Sequence, residues 1–347
     1  DRDAPSDGAV IKPRYSSWRG LTVTHGISPR LSAHDAAAMA LAAVDEAYRA
    51  HIALGGDPDG AVALDNFSWP DPVESASNPD GAYKLAQLVR ACRALREACL
   101  AYGLPLVSGK DSMKNDAFAG GRRISVKPTL LVTLVGVIDD VRKAMSTDFL
   151  EPGDLVYVAG GTGGALGASI LERVLAGPQT EAIPGPLGPC PVASPADHLA
   201  IYRALAKAIS GKVLRSCHDL SDGGLAVALA ESCLGGRLGA EIRLDGLPSR
   251  PAASGGAASG ELASWKKPGS PAMPPAARAL FAEDPGRLLV SIRPEDRERF
   301  ERSMAGLACR LVGETTREPR LRATLAGRVV LDAALPALER AFKTPIA

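Results

Sequence analysis

Residues 21–66, LTVTHGISPRLSAHDAAAMALAAVDEAYRAHIALGGDPDGAVALDN, decide the fold class. Leu21 to Thr24 read as a strand, and from Ser32 to His51 the apolar residues recur at helical spacing. Val62 to Leu64 make a second short strand, which ends in Asp65-Asn66. Downstream, Asp80 to Ala101 form a long amphipathic pattern that stops at Gly103-Leu104-Pro105. Leu104 to Ser108 and Ser125 to Ile138 supply two more strands. Up to about residue 147 this predicts a β-α-β-α-β-β unit, an α/β or α+β layer with its helices on one face.

A second unit is expected from residue 148. Glu151-Pro152-Gly153-Asp154 is a turn, and the strand Leu155 to Ala159 runs into the glycine-rich Gly160 to Gly167 and a helix over Ala168 to Ala176. A helix starts at Leu225; Leu288 to Ile292 and Arg310 to Val312 read as strands, with Phe300 to Ala305 in a helix between them. Residues 251–275 are mostly Ala, Ser, Gly and Pro, a composition too poor in bulky apolar groups to offset its ordering entropy, so a mobile insertion is expected there. The domains expected are therefore 1–147 and 148–347, the second a further α+β layer. At 347 residues both are large enough to bury a core without disulfides or structural metals.

Composition narrows the function classes. The 40 Lys+Arg and 39 Asp+Glu leave a formal charge of +1, so no global field steers the chain toward nucleic acid or anionic lipid. No run approaches the ~20 apolar residues that span a bilayer, and no signal peptide opens the sequence, so a cytoplasmic location is expected. The six cysteines contain no CxxC pair and fall mostly in apolar segments, which predicts reduced, packed thiols. Asp1 stands where an initiator methionine would, which fits a piece of a longer protein.

Two segments carry candidate chemistry. Gly109-Lys110-Asp111-Ser112 follows a strand and offers backbone N–H groups, an ammonium, a carboxylate and a hydroxyl to a phosphate, although the spacing is not that of a Walker A loop. The alternative is a polar turn with solvated side chains. In Ser216 to Glu231, Asp219, Ser221 and Asp222 cluster before Gly223-Gly224 and a helix. They either cap that helix or present a Mg2+ ligand at Asp219 and a nucleotide contact at Ser221. Cys217-His218-Asp219 is no nucleophile relay, because neighbours in an extended segment face opposite ways. Gly160 to Gly167 lacks GxGxxG spacing and reads as tight turning with close packing. Glu46 is a surface ion-pair partner by default, and Asp65 with Asn66 either binds a ligand or starts a turn.

Taken together and in this order, the segments resemble the synthetase part of phosphoribosylformylglycinamidine synthase, also called formylglycinamide ribonucleotide amidotransferase, within the aminoimidazole ribonucleotide synthetase superfamily. The matching strings are DGAVIKP (7–13), ALDNFSWPDPVES (63–75), PDGAYKLAQLVRAC (79–92), PLVSGKDSMKND (105–116), SCHDLSDGGLAVALAE (216–231) and LFAEDPGRLLV (280–290). The resemblance implies a two-domain synthetase half whose N-terminal sheet domain pairs with a second such domain. It also implies an ATP-dependent ligase of purine biosynthesis that turns formylglycinamide ribonucleotide and glutamine-derived ammonia into the amidine. This chain looks like the second half alone, with the catalytic histidines in a first half and ammonia from a glutaminase subunit or domain. It should be inactive alone and should form a homodimer when isolated.

Carried over by position, the resemblance gives Asp65 and Gly109 to the catalytic ATP and Ser112 to the ribonucleotide. Lys110 stands where relatives have an asparagine metal ligand; it can neutralise phosphate directly, with Asp111 beside it to hold Mg2+. At an auxiliary nucleotide site, Glu46 and Asp219 resemble Mg2+ ligands and Ser221 a nucleotide contact. Two further ligand positions there are His25 in place of Asp and Ala50 in place of Asn, which removes two oxygens from a hard cation's shell. Two other readings stay open: a non-catalytic scaffold half, and another superfamily enzyme of the aminoimidazole ribonucleotide or selenophosphate synthetase type.

Overall fold

The computed structural model describes residues 4–177, 187–250 and 273–344. In its first half, strands β1 (Ala9–Ile11), β2 (Gly20–Ile27), β3 (Ala61–Ser68), β4 (Leu106–Ser112) and β7 (Thr129–Ile138) form one sheet in the order β1-β2-β7-β3-β4. A separate hairpin, β5 (Asp116–Ala119) and β6 (Arg122–Ser125), stands beside it. β2 and β3 both run antiparallel to the central β7, and β4 runs parallel to β3. Parallel neighbours need a crossover, and helices α1 (Ala36–Ala53) and α2 (Gly81–Tyr102) supply the two connections.

Helix α1 starts where Asp35 accepts hydrogen bonds from the N–H groups of Ala37 (2.6 Å) and Ala38 (3.0 Å), an N-cap that satisfies otherwise free donors. Only Ala37 and Glu46 of its side chains escape full burial. A helix apolar on all sides must be covered on all sides, and α1 lies between the sheet, α2 and a third helix, α4 (Pro195–Ser210). Gly26 makes the contact with the sheet possible. A Cβ at that position would lie 2.1 Å from the carbonyl of Ala43 and 2.9 Å from Cβ of Glu46. The opposite face of the sheet, carrying Leu21, Val23, Val62, Leu64, Leu131, Val135 and Val137, is only half-buried.

The second half holds α3 (Ile170–Ala176), α5 (Gly224–Gly236) and strands β8 (Leu155–Ala159), β9 (Leu214–Asp219), β10 (Gly239–Arg243), β11 (Leu288–Ile292), β12 (Cys309–Thr316), β13 (Arg320–Leu325) and β14 (Arg328–Ala334). They form a seven-stranded sheet in the order β14-β13-β10-β12-β8-β11-β9. β8 reads as an unbroken apolar run, and β11 is broken only by the buried Ser291, because both of their faces are covered. Tyr157, Val290 and Ile292 join the core built on α1, α2 and α4; Val156, Val158 and Leu289 join a second core with Leu225, Leu229 and Cys233 of α5. The chain is thus a mixed α/β fold whose two sheets share one core.

α4 lies beyond the expected elements, although Pro195 after Ser194 and the stop at Gly211 mark its ends. The Gly160–Gly167 segment packs closely: a Cβ at Gly160 (φ 98°) would lie 2.1 Å from the carbonyl of Gly286. The N–H groups of Gly163 and Gly164 both donate to Asp284 Oδ2 at 2.9 Å. All six cysteines are free thiols, and Cys99, Cys217 and Cys233 are buried. Nearly all of the expected insertion lies outside the described residues; its last residue, Pro275, opens a short helix to Phe281. Among the described residues no helix is long and apolar enough to cross a membrane.

Candidate functional site

The structure sorts the candidate residues into two sets. The first lies on the β3–β4 edge, where Asp65 pairs with Gly109, Asn66 with Lys110, Phe67 with Asp111 and Ser68 with Ser112. Gly109 to Ser112 are therefore strand residues and not the expected loop. Gly, Lys, Asp and Ser are poor strand formers, yet backbone pairing with β3 holds them extended, and β4 is an edge strand with one neighbour. Exposed charges on such an edge discourage further pairing.

The pleat divides this set. Asp65, which faces Val132, shares the helix-covered side with Gly109 and Asp111, while Asn66, Ser68, Lys110 and Ser112 share the other. A Cβ at Gly109 would lie 2.6 Å from Asp65 Oδ1, so glycine keeps that carboxylate open. Burial raises the Asp65 pKa and neighbouring Asp111 adds to the rise, partly offset by a backbone hydrogen bond. On the other side Lys110 Nζ donates to Ser112 Oγ, and Asn115 Nδ2 donates to Ser68 Oγ at 2.9 Å. The result is a solvent-facing row of one ammonium, two hydroxyls and an amide.

The second set, Glu46, Asp219 and Ser221, meets where α1 faces the end of β9. Ser221 Oγ lies 2.6 Å from Asp219 Oδ2 and 3.2 Å from Glu46 Oε1, and Glu46 Oε2 accepts from the N–H of Ile27 at 2.8 Å. Burial and the neighbouring Asp219 push Glu46 up to about 7. Glu46 is half-buried in a cleft also lined by Arg30, Arg49, Asp222 and Glu283, and is not a surface ion-pair partner. Ser221 and Asp222 do not cap α5. Its N-cap is Gly223, whose N–H donates to Glu283 Oε1 at 2.8 Å; the same oxygen accepts from the N–H of Ile170 at 2.8 Å. Arg30 binds both Asp222 and Glu283.

Charged residues here that lie outside the candidates read from the sequence include Arg49, Arg30, Glu283 and Asp7. Arg49 Nη2 donates to Asp219 Oδ2 and Ser221 Oγ, each at 3.1 Å, and its Nη1 binds Asp45. A charged pair at i and i+4 inside the alanine-rich run AAVDEAYRAHIA is a legible sign of a buried ion pair. The other three join segments far apart in sequence and left no local signal. Asp7 reaches His218 Nδ1 at 2.6 Å, while Glu231 lies 2.9 Å from Nε2. Burial opposes the charged ring, but Asp7, Glu231 and Asp219 outweigh it and hold His218 protonated well above its ordinary range. Cys217, on the alternate face, is buried with its thiol pKa raised by burial and the nearby acids, so no cysteine–histidine pair forms.

Neither buried cluster fits a divalent cation. Asp7, His218 and Asp219 converge, yet both ring nitrogens of His218 are engaged by carboxylates and offer no lone pair. At the other cluster, Asp219 Oδ2 and Ser221 Oγ already accept from Arg49, while the Glu46 oxygens accept from the Ile27 N–H and the Ser221 hydroxyl. His25, one of the two replaced ligand positions, is exposed on β2 and alternates away from α1; Ala50 is buried without a polar side chain.

A two-sheet α/β fold with a seven-stranded second sheet and an acid-bearing strand end defines the class, and the chain belongs to the AIR synthase related proteins: residues 151–326 match the family's C-terminal domain. Within that class it is similar to the phosphoribosylformylglycinamidine synthase subunit PurL of Rhodospirillum rubrum, 33% identical over 319 residues that make up 89% of this chain and 36% of that protein. The PurL of Thermoplasma acidophilum is 28% identical over 99% of the chain and 39% of its own length. The chain therefore spans little more than a third of these curated relatives. In fold it matches Thermotoga maritima PurL complexed with FGAR, with a TM-score of 0.70 at 19% identity, over 97% of this chain and 49% of that one.

Proposed function

We propose that this chain is a synthetase segment of a phosphoribosylformylglycinamidine synthase and works in the cytoplasm in purine biosynthesis. Residues 1–147 would form the substrate-facing and pairing domain, and 148–347 the second domain. ATP would phosphorylate the amide oxygen of formylglycinamide ribonucleotide to an iminophosphate; ammonia from a glutaminase subunit or domain would add to that carbon, and phosphate would leave. Such phosphoryl transfer depends on positioning and charge neutralisation.

The observation that carries this reading is the β3–β4 edge. It presents Lys110 and Ser112 on one open face at the C-terminal ends of two parallel strands, the usual place for ligands in α/β sheets. Asp65 and Gly109 would meet ATP, Lys110 its phosphates and Ser112 the ribonucleotide, with Asp111 as the carboxylate available to a Mg2+ ion. The groups that move protons would come from a first synthetase half, so the isolated chain would not turn over and would pair with a second copy. Thermotoga maritima PurL has been solved with FGAR and with ATP, which supports the choice of both substrates.

A scaffold half is the second reading, favoured by one observation: the Glu46–Asp219–Ser221 cluster is neutralised from within. The two separate in the full-length protein that contains this segment. Radiolabelled ATP and formylglycinamide ribonucleotide are expected to bind it in equilibrium dialysis and to bind more weakly after Lys110→Ala. Binding indifferent to Lys110 would leave the scaffold reading.

A further inference from the structure

Three carboxylates, Asp45, Glu46 and Asp219, crowd the interface between the two halves, and two of them are almost without solvent: Asp45 side chain 0% exposed, Asp219 9%. Buried carboxylates require compensation by a nearby cation. Arg49, itself 4% exposed, stands among them. One Nη group binds Asp45; the other spans Asp219 Oδ2, Ser221 Oγ and, at 3.4 Å, the carbonyl of Leu220. A planar guanidinium with several fixed donors suits the four acceptors placed around it, and it cannot lose its charge. A Mg2+ ion demands close octahedral oxygen contacts and could reach Asp219 Oδ2 and Ser221 Oγ only in contact with that guanidinium.

The anionic partner of a metal-nucleotide is replaced as well. The N–H groups of Gly223 and Ile170, which a phosphate would use, donate to Glu283 Oε1, and Arg30 neutralises Glu283 and Asp222. These contacts are independent of those of Arg49. His25 and Ala50 thus bring no oxygen ligand to this cluster, while Arg49 supplies it with a fixed cation and Glu283 with an anion.

We propose that Arg49 is the resident cation of this cluster: it takes the place of a divalent metal, so the two halves are joined at Glu46, Asp219 and Ser221 without Mg2+, and no metal-nucleotide binds there. This stands apart from the β3–β4 edge and from the activity proposed for it.

Mn2+, a paramagnetic substitute for Mg2+, tests it by electron paramagnetic resonance on the full chain. Any Mn2+ bound by the wild type should be unchanged by Glu46→Gln, and any difference in melting temperature between EDTA and Mg2+ should be the same in the wild type and in Glu46→Gln. Arg49→Ser should create a site that binds Mn2+ about tenfold tighter or more, because an adjacent fixed positive charge is gone, and Mg2+ should raise its melting temperature. Arg49→Lys should keep the wild type's response to metal. A Mn2+ ion bound by the wild type and lost in Glu46→Gln would overturn the proposal, as would a folded Arg49→Ser protein that gains no Mn2+. Should Arg49→Ser not fold, the wild type against Glu46→Gln and the Arg49→Lys melt in EDTA and in Mg2+ still decide.

Discussion

Tyr202 donates its hydroxyl to Asp45 Oδ1 at 2.8 Å, joining α4 to α1 across 157 positions of sequence. The same carboxylate accepts from Tyr102 at 2.5 Å and from the N–H of Gly286 at 3.1 Å, lies 2.7 Å from His198 Nδ1 and binds Arg49. Burial would raise its pKa, but His198, Arg49 and Tyr102 outweigh that and hold it well below the usual carboxylate range. Asp45→Ala leaves these donors unpaired in the core, and an expected loss of about 3–5 kcal/mol follows. Urea unfolding checks it; a loss below about 1 kcal/mol would put Asp45 among merely tolerated polar groups.

Gly26→Ala should separate β2 from α1. The added carbon meets the backbone carbonyl of Ala43, which cannot swing aside as a side chain can. The expected loss is about 1–3 kcal/mol, typical of overpacking. Helix α1 carries Glu46 with it, so the hydrogen bond from Ile27 should also weaken, seen as faster amide exchange at Ile27.

His51 gives a dependence on pH. Its Nδ1 lies 2.7 Å from Thr22 Oγ1 and its Nε2 2.9 Å from the carbonyl of Asp57, an arrangement that a neutral ring protonated on Nε2 satisfies. Burial lowers its pKa from the ordinary 6.5, against a smaller opposing effect of Asp57. The unfolded chain therefore takes up the proton first as pH falls. Stability from this group is full above pH 6.5 and is lost as pH drops below it. The stability gap between the wild type and His51→Gln should narrow on acidification; a gap that widens would contradict this.

The sequence was most legible where local rules are strong. Helical spacing from Ser32 to His51, and from Asp80 to Ala101 with a stop at Gly103, predicts α1 and α2, and the structure places the helices at Ala36–Ala53 and Gly81–Tyr102. It was least legible where neighbours override local preference. Lys110 and Asp111 are extended only because β3 pairs with them, and Glu283 caps two helices that begin far from it in sequence. Glu46, Asp219 and Ser221 are legible as candidates and do meet, whereas Arg49, which binds Asp219 and Ser221, is marked in the sequence only by its i, i+4 spacing from Asp45.

The half-buried sheet face should make the isolated chain self-associate. Val135 stands between Val23 and Val62 in register, and Leu21 faces Val137, so the apolar stripe is continuous. Exposed stripes of this kind mark interfaces, and a two-fold copy can cover one. Sedimentation at about tens of micromolar should show a dimer, and Val135→Glu should give a monomer; a wild-type monomer throughout would contradict it.

The central claim is that the β3–β4 edge handles substrate, and steady-state kinetics of the full-length protein tests it most directly. With ATP, ammonia and formylglycinamide ribonucleotide, Ser112→Ala should lower kcat/KM by about tenfold or more, the loss of a hydrogen bond to a charged acceptor. Lys110→Ala should do so at least as strongly, and both should leave the melting temperature nearly unaltered. Normal kinetics in both variants, with a lowered melting temperature, would contradict the account and reduce this edge to architecture.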